Sequence, residues 1–399
     1  MSSGKDSAWS LDPGVCFLNH GSFGACPIAV QAHQQLLRER MESEPVRFMV
    51  EELPGLIEAS RSALASFLGA DADGLVFVSN ATQGVNTVLA SLPFAGGDEI
   101  VTTDHEYNAC RCALEHYAGR AGAKIVVAPV PFPIREPSQV TEAVLGAVTA
   151  RTRLAMISHI TSPSALIFPI GAIVRELRER GVVSLVDGAH APGMVALNLN
   201  AIDADYYTGN CHKWMCAPKG AAFLHVRADR HEGLMPMSIS HGYNAPDDGR
   251  PALHRLFDWT GTSDPTALAS IPCAIETVSA LMADGWEGVM RANHDLAVRA
   301  RDVLCEALGC DPPAPDEMLG SMAAMPIPDA PGKTPSGRPY HDALQVEILR
   351  RHGVQAPVSY FPRAPKRVMR VSAQRYNTVE QYQRLASALV EELARDRRG

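Results

Sequence analysis

Two neighbouring runs decide the reading: Val182-Val183-Ser184-Leu185-Val186-Asp187-Gly188-Ala189-His190, and Ala204-Asp205-Tyr206-Tyr207-Thr208-Gly209-Asn210-Cys211-His212-Lys213-Trp214. In the first, an apolar, β-branched stretch ends on an acid. In the second, another strand-like stretch leads to a lysine 26 positions after that acid. Uninterrupted apolar runs bounded by turn residues read as strands buried on both faces of a sheet.

The pattern extends on either side. Strand candidates are Leu75–Val78, Glu99–Thr103, Lys124–Val127, Leu154–Ser158, Val182–Val186, Asp205–Thr208 and Ala221–Val226. Helical stretches at Gln83–Leu92, Ala109–Arg120, Ser138–Ala150 and Ile173–Arg180 lie between several of them. This alternation predicts an α/β fold with a mostly parallel, seven-stranded sheet covered on both faces. Ligands of such sheets bind beyond the carboxyl ends of the strands, so chemistry is sought just after each strand. From Thr266 the texture changes. Long helices over Thr266–Met282 and Gly288–Leu308 precede Pro-rich loops at Asp311–Pro315 and Pro328–Pro339. A helix at His341–Arg351, a short strand at Val368–Val371 and a final helix at Val379–Asp396 follow. The expected organisation is an N-terminal segment over residues 1–25, a large domain over 26–265 and a smaller α+β domain over 266–399.

Composition bounds the function. The 399 residues are 46% hydrophobic and 20% charged, with a formal net charge of -8. That is ordinary globular usage, with no basic stripe to offer nucleic-acid phosphates. No apolar run reaches membrane-spanning length, and the polar start, Met1–Ser10, has no signal-peptide core, so a cytoplasmic protein is expected. Nine cysteines at irregular spacings read as reduced thiols and not as a metal framework.

An acid and a lysine on adjacent strand ends suit pyridoxal 5'-phosphate. The carboxylate of Asp187 would hold the pyridine nitrogen protonated, and the amine of Lys213 would condense with the aldehyde. Alone, Asp187 reads equally as a turn or cap residue. Lysine scarcity sharpens the choice. Of the six lysines, Lys5 lies in a tail, Lys124 starts a strand, and Lys333 and Lys366 sit in loops. Only Lys213 and Lys219 follow the relevant strand, and Lys219 lies in the turn Ala217-Pro218-Lys219-Gly220. The segment Ser79-Asn80-Ala81-Thr82-Gln83 ends a strand and opens a helix. It is an anion site by its backbone N–H groups, or simply an N-cap at Asn80.

Together Asp187-Gly188-Ala189-His190, His212-Lys213-Trp214 and Ala217-Pro218-Lys219-Gly220 resemble the class V aminotransferase family of fold type I pyridoxal-phosphate enzymes. Within it, the chain is most similar to the isopenicillin N epimerase group. The likeness runs through Leu18-Asn19-His20-Gly21-Ser22-Phe23-Gly24, Glu44-Pro45-Val46-Arg47-Phe48, Gly261-Thr262-Ser263-Asp264, Arg370-Val371-Ser372-Ala373 and Tyr376-Asn377-Thr378. The resemblance implies Lys213 and Asp187 as catalytic residues, with Tyr107 stacked on the pyridine. It implies that Ala81, Thr82, Gln83, Asn210 and His212 hold the phosphate, and that His159 and His190 contact the phenolic oxygen. Thr262 would reach the phosphate of a neighbouring subunit, which makes the active unit a homodimer. Arg370 would bind the α-carboxylate of a small amino substrate, with Asn19, His20 and Ser22 lining the substrate side. The reaction stays open among epimerisation, transamination, elimination and oxidation. Persulfide-forming desulfuration is disfavoured, because Val354–Met369 contains no Cys ahead of Arg370. An epimerase needs a second acid/base, for which His20, His105 and Tyr107 are candidates.

Overall fold

A computed structural model describes residues 8–331 and 342–396. Its strands are β1 (Cys16–Phe17), β2 (Leu75–Val78), β3 (Glu99–Thr103), β4 (Lys124–Ala128), β5 (Thr152–Ser158), β6 (Val183–Asp187), β7 (Tyr206–Asn210), β8 (Ala222–Val226), β9 (Met322–Ile327), β10 (Val354–Gln355), β11 (Val358–Tyr360) and β12 (Arg367–Ser372). Seven form one sheet in the order β2-β8-β7-β6-β5-β3-β4. All neighbours run parallel except β8, which is antiparallel to both β2 and β7. The chain returns from β7 to β8 without a helix, and a parallel pair needs a longer crossover.

The strands β2, β3, β7 and β8 are buried along their length, and β6 from Ser184 onward, as a sheet covered on both faces requires. The helix Ile170–Glu179 shows how the covers are written. It buries Ile170, Ile173, Val174 and Leu177, the one-face spacing of a 3.6-residue period. Two further helices, Ile28–Ser43 and Leu53–Leu68, lie in a region where the sequence reading proposed no elements.

A smaller antiparallel sheet has the order β11-β12-β9, with Arg370 on its central strand. The helices Gly285–Leu308 and Val379–Asp396 pack on each other, and the first also packs on β9. The N-terminal segment is tied to this unit. The strand β1 pairs with β10, Ser372 N–H donates to the Leu18 carbonyl at 2.9 Å, and Gly21 N–H donates to Ser372 Oγ at 3.0 Å.

The continuous helix expected over Thr266–Met282 is two helices, Thr266–Ala269 and Ile271–Ser279. Pro272 has no N–H to continue the first turn, so it opens a new helix instead. The helix expected from Ser138 stops at Gly146, and the one expected from His341 is seen over Ala343–His352, with His341 outside the described residues. Lys5 and Lys333 also lie outside them.

Gly24 closes the N-terminal turn with φ +71°, and a Cβ there would fall 2.1 Å from the His212 carbonyl oxygen. Gly24→Ala should destabilise the fold by about 2 kcal/mol or more in chemical denaturation. Gly55, in the helix Leu53–Leu68, has open space around it. Gly55→Ala should stabilise by up to about 1 kcal/mol.

Candidate active site

Asp187 ends the buried strand β6, and Ser158 on β5 lies beside it in register. Its carboxyl is 3% exposed. The Ala189 N–H donates to Oδ1 at 3.0 Å and the Cys110 thiol to Oδ2 at 3.3 Å. Burial pushes the carboxyl above its ordinary range, while the Ala189 N–H, the Lys213 charge and the thiol pull it back. Among the described residues no cationic side chain makes an ion pair with it.

Lys213 follows β7, on the strand adjacent to β6. Its Nζ lies 3.1 Å from His190 Nε2. Burial lowers the ammonium to about 8, with Arg370 adding to the effect and Asp187 and Cys110 opposing it. Trp214 Nε1 donates to His190 Nδ1 at 3.4 Å. Burial holds His190 well below its ordinary range, and the Lys213 charge adds to this.

The helix Ala81–Ser91 begins at the end of β2, next to β7. Asn80 has an extended backbone and caps it, its Oδ1 accepting from Gln83 N–H at 2.8 Å. Gln83 Oε1 reaches back to the Ser79 N–H at 2.7 Å. Asn210 Oδ1 accepts from the Ala81 N–H at 2.8 Å, which ties the end of β7 to the helix start. The first-turn N–H and hydroxyl of Thr82 make no hydrogen bond among the described residues, so this N-terminus retains donors for an anion. His212 Nδ1 lies 3.0 Å from the Ala221 carbonyl oxygen, and burial lowers the ring to about 4, so it is neutral.

Arg370, 6% exposed, donates to the Ser162 carbonyl at 2.7 Å and to Ser22 Oγ at 3.1 Å. Ser22 in turn donates to Asn19 Oδ1 at 2.6 Å. The structure thus brings Asn19, Ser22 and Arg370 together. It turns His20 elsewhere: Nδ1 lies 2.8 Å from the Tyr376 hydroxyl and Nε2 lies 3.0 Å from the Lys213 carbonyl. That ring is fully buried, and burial lowers it to about 3. His20 therefore fastens the Lys213 backbone. His159 is also buried and neutral, lowered to about 4 by burial, and pairs with the Tyr207 hydroxyl at 2.8 Å. Tyr107, 46% exposed, stands at the start of the helix Asn108–Ala121. His105 is sequestered between Ser164 Oγ at 2.6 Å and the Val130 carbonyl at 3.0 Å. Thr262 lies on an exposed turn and makes no hydrogen bond to these residues in the single chain.

Sequence reasoning assigned no role to Glu106. It is buried, accepts from Ser158 Oγ at 2.9 Å and from Tyr107 N–H at 2.8 Å, and has Oε2 without a partner among the described residues. Burial, followed by the Asp187 charge, raises it to about 8. Glu106, Cys110 and Asp187 place ligand-type atoms within 4.8 Å of one another. An acid just after the fully buried strand β3, four residues before a buried Cys, was the available signal.

Three features fit pyridoxal 5'-phosphate. A buried carboxylate lacks a cation, as a partner for a protonated ring nitrogen should. A half-buried lysine is depressed to about 8. A helix N-terminus has donors to spare for phosphate. Fold and site together define a fold type I pyridoxal-phosphate enzyme. The aminotransferase class-V model matches residues 26–385, and the chain belongs to that family. It is 36% identical to the isopenicillin N epimerase of Amycolatopsis lactamdurans over 397 residues, covering 96% of each chain. It is 30% identical to a probable chloroplastic L-cysteine desulfhydrase of Arabidopsis thaliana, covering 95% of this chain and 83% of that one. The solved cystine C-S lyase C-DES, in complex with cysteine persulfide, superposes with TM-score 0.77 at 20% identity, covering 95% of this chain and 98% of that one.

Capture of the cofactor aldehyde requires the neutral amine. For a lysine held at about 8, the capture rate of apoprotein should fall tenfold per pH unit below that value and level off above it. Stopped-flow absorbance measures the rate. Borohydride should then fix the cofactor to the Lys213 peptide on mass mapping, and Lys213→Ala should lose about 10³-fold in turnover.

Proposed function

We propose that this chain is a lyase acting at Cα of an amino acid that carries a leaving group on Cβ. The carrying observation is the fate of the candidate second bases. An epimerase needs an acid/base opposite Lys213, yet His20 is bonded to Tyr376 and the Lys213 carbonyl. His105 is bonded to Ser164 and the Val130 carbonyl. Elimination needs one base at Cα, and Lys213 supplies it. The second reading, epimerisation, is favoured by the 36% identity to an isopenicillin N epimerase, with Tyr107 as the remaining candidate.

Bound pyridoxal phosphate supplies an aldehyde that condenses with amines and a ring that accepts negative charge from Cα. The residues do the rest. Arg370 orients the substrate carboxylate, and its contacts with Ser162 and Ser22 fix the guanidinium. Lys213, with its proton affinity lowered, takes the Cα proton. Asp187 would hold a proton on the ring nitrogen of the bound cofactor, and Tyr107 is the residue that would stack on it. Thr82 and the helix start would hold the phosphate, with Asn210 setting the helix position. Loss of the β-substituent with its bonding electrons leaves an unsaturated amine, which water converts to a 2-keto acid and ammonia.

Sulfur is the leaving atom best supported, because the similar Arabidopsis protein is named for cysteine desulfhydration. A protein-bound persulfide is not part of the reading. Cys110, the thiol beside Asp187, is raised well above its ordinary range by burial and is a poor nucleophile. We further propose a cytoplasmic homodimer in which Thr262 of each chain completes the other's phosphate site. Nine free cysteines are in keeping with a reducing compartment.

The test is a panel of amino acids with β-leaving groups, incubated in deuterium oxide without a keto-acid acceptor. Elimination predicts equal amounts of keto acid, ammonia and leaving group. Formation of the D-enantiomer with Cα deuterium and no keto acid would establish the epimerase reading instead. Strict dependence on a keto-acid acceptor would establish transamination. Arg370→Lys should raise KM at least about tenfold, since a point charge replaces a bidentate fork.

A further inference from the structure

The contact between Trp214 and His190 has a consequence for Lys213. An indole N–H only donates, so the ring nitrogen facing it must carry a lone pair. Trp214 Nε1 meets His190 Nδ1 at 3.4 Å, and both residues are buried. His190 is neutral, since burial and the nearby Lys213, Arg370, His20 and His212 all disfavour its charged form. A neutral imidazole with a bare Nδ1 carries its proton on Nε2. That Nε2–H points at Lys213 Nζ, 3.1 Å away. A donor facing the nitrogen is satisfied by a neutral amine and opposed by an ammonium.

We propose that Trp214 is a positioning residue that locks His190 as the Nε2–H tautomer, so that His190 presents a donor to Lys213 and favours its neutral amine over the ammonium. The opposite tautomer would leave the indole N–H against another N–H, with no other acceptor among the described residues. The remaining groups acting on Lys213 are Asp187 from β6, Cys110 from the helix Asn108–Ala121 and Arg370 from β12. Asp187 and Cys110 favour the ammonium, whereas Arg370 and burial favour the amine. The imidazole thus acts with burial against two acidic groups. The pairing is written locally, because Trp214 follows Lys213 in the chain and its indole reaches back over the turn that carries His190.

This inference deepens the lyase reading by explaining how the proton affinity of its base is lowered, but its primary test uses cofactor-free full-length protein and no substrate. Histidine is labelled with ¹⁵N, and long-range proton–nitrogen correlation near pH 8 assigns the tautomer of His190. The expected pattern is Nε2–H in the wild type and a shift towards Nδ1–H in Trp214→Phe. An Nδ1–H pattern in the wild type overturns the proposal, and that result needs no variant to fold. The second readout is the pH at which cofactor capture half-rises. It should move up by about one unit in Trp214→Phe. In a His190→Leu background the same Trp214→Phe change should move it no further, because the indole acts through the imidazole. An equal shift in both backgrounds would overturn the proposal, because it would show the Trp214 effect to be independent of the imidazole. Failure of the wild-type protein to capture any cofactor would refute the pyridoxal-phosphate reading while leaving the tautomer result intact.

Discussion

Asp187 is almost completely buried, and its partners are an amide N–H and a thiol. A carboxyl group in that position costs free energy unless something cationic joins it. Lys213, half-buried just beyond the end of the adjacent strand β7, bonds to His190 instead. Each group has its proton affinity moved towards neutrality, the acid upward and the amine downward. Two groups displaced in opposite directions mark a place where charge is meant to arrive from outside. A ring that brings a cationic nitrogen to one and an aldehyde to the other satisfies both.

The surroundings serve this arrangement at several removes. The parallel sheet delivers Asp187 and Lys213 from β6 and β7, with Asn210 fastening the helix Ala81–Ser91 to the end of β7. The N-terminal segment contributes through His20, whose ring joins the Lys213 carbonyl to Tyr376. It also contributes through Ser22, which joins Arg370 from the small sheet. One short stretch of chain therefore spans the lysine-bearing loop and the strand that carries Arg370. Displacing it would disturb both.

Much of this was legible in the chain. The sheet could be read because each strand is a buried apolar run, and Asp187 and Lys213 could be read because they follow such runs. What the sequence did not disclose depended on contacts far apart in the chain. Cys110 and Asp187 are 77 residues apart, and Ser22 and Arg370 are 348 apart. The motif at Leu18–Gly24 located His20 but not the direction of its ring, which follows from Tyr376. Glu106 passed unnoticed because an acid beside an aromatic reads as surface until its burial is known. The break at Pro272 was readable from the proline alone, and the apolar periodicity on either side concealed it.

The central claim is that Asp187 holds a proton on a bound pyridine nitrogen. Its most direct test is the ¹⁵N chemical shift of ring-labelled pyridoxal phosphate bound to the protein. A protonated-pyridine shift that persists above pH 8 in the wild type and is lost in Asp187→Ala is the predicted result. A neutral-pyridine shift in the wild type at pH 7 would contradict it.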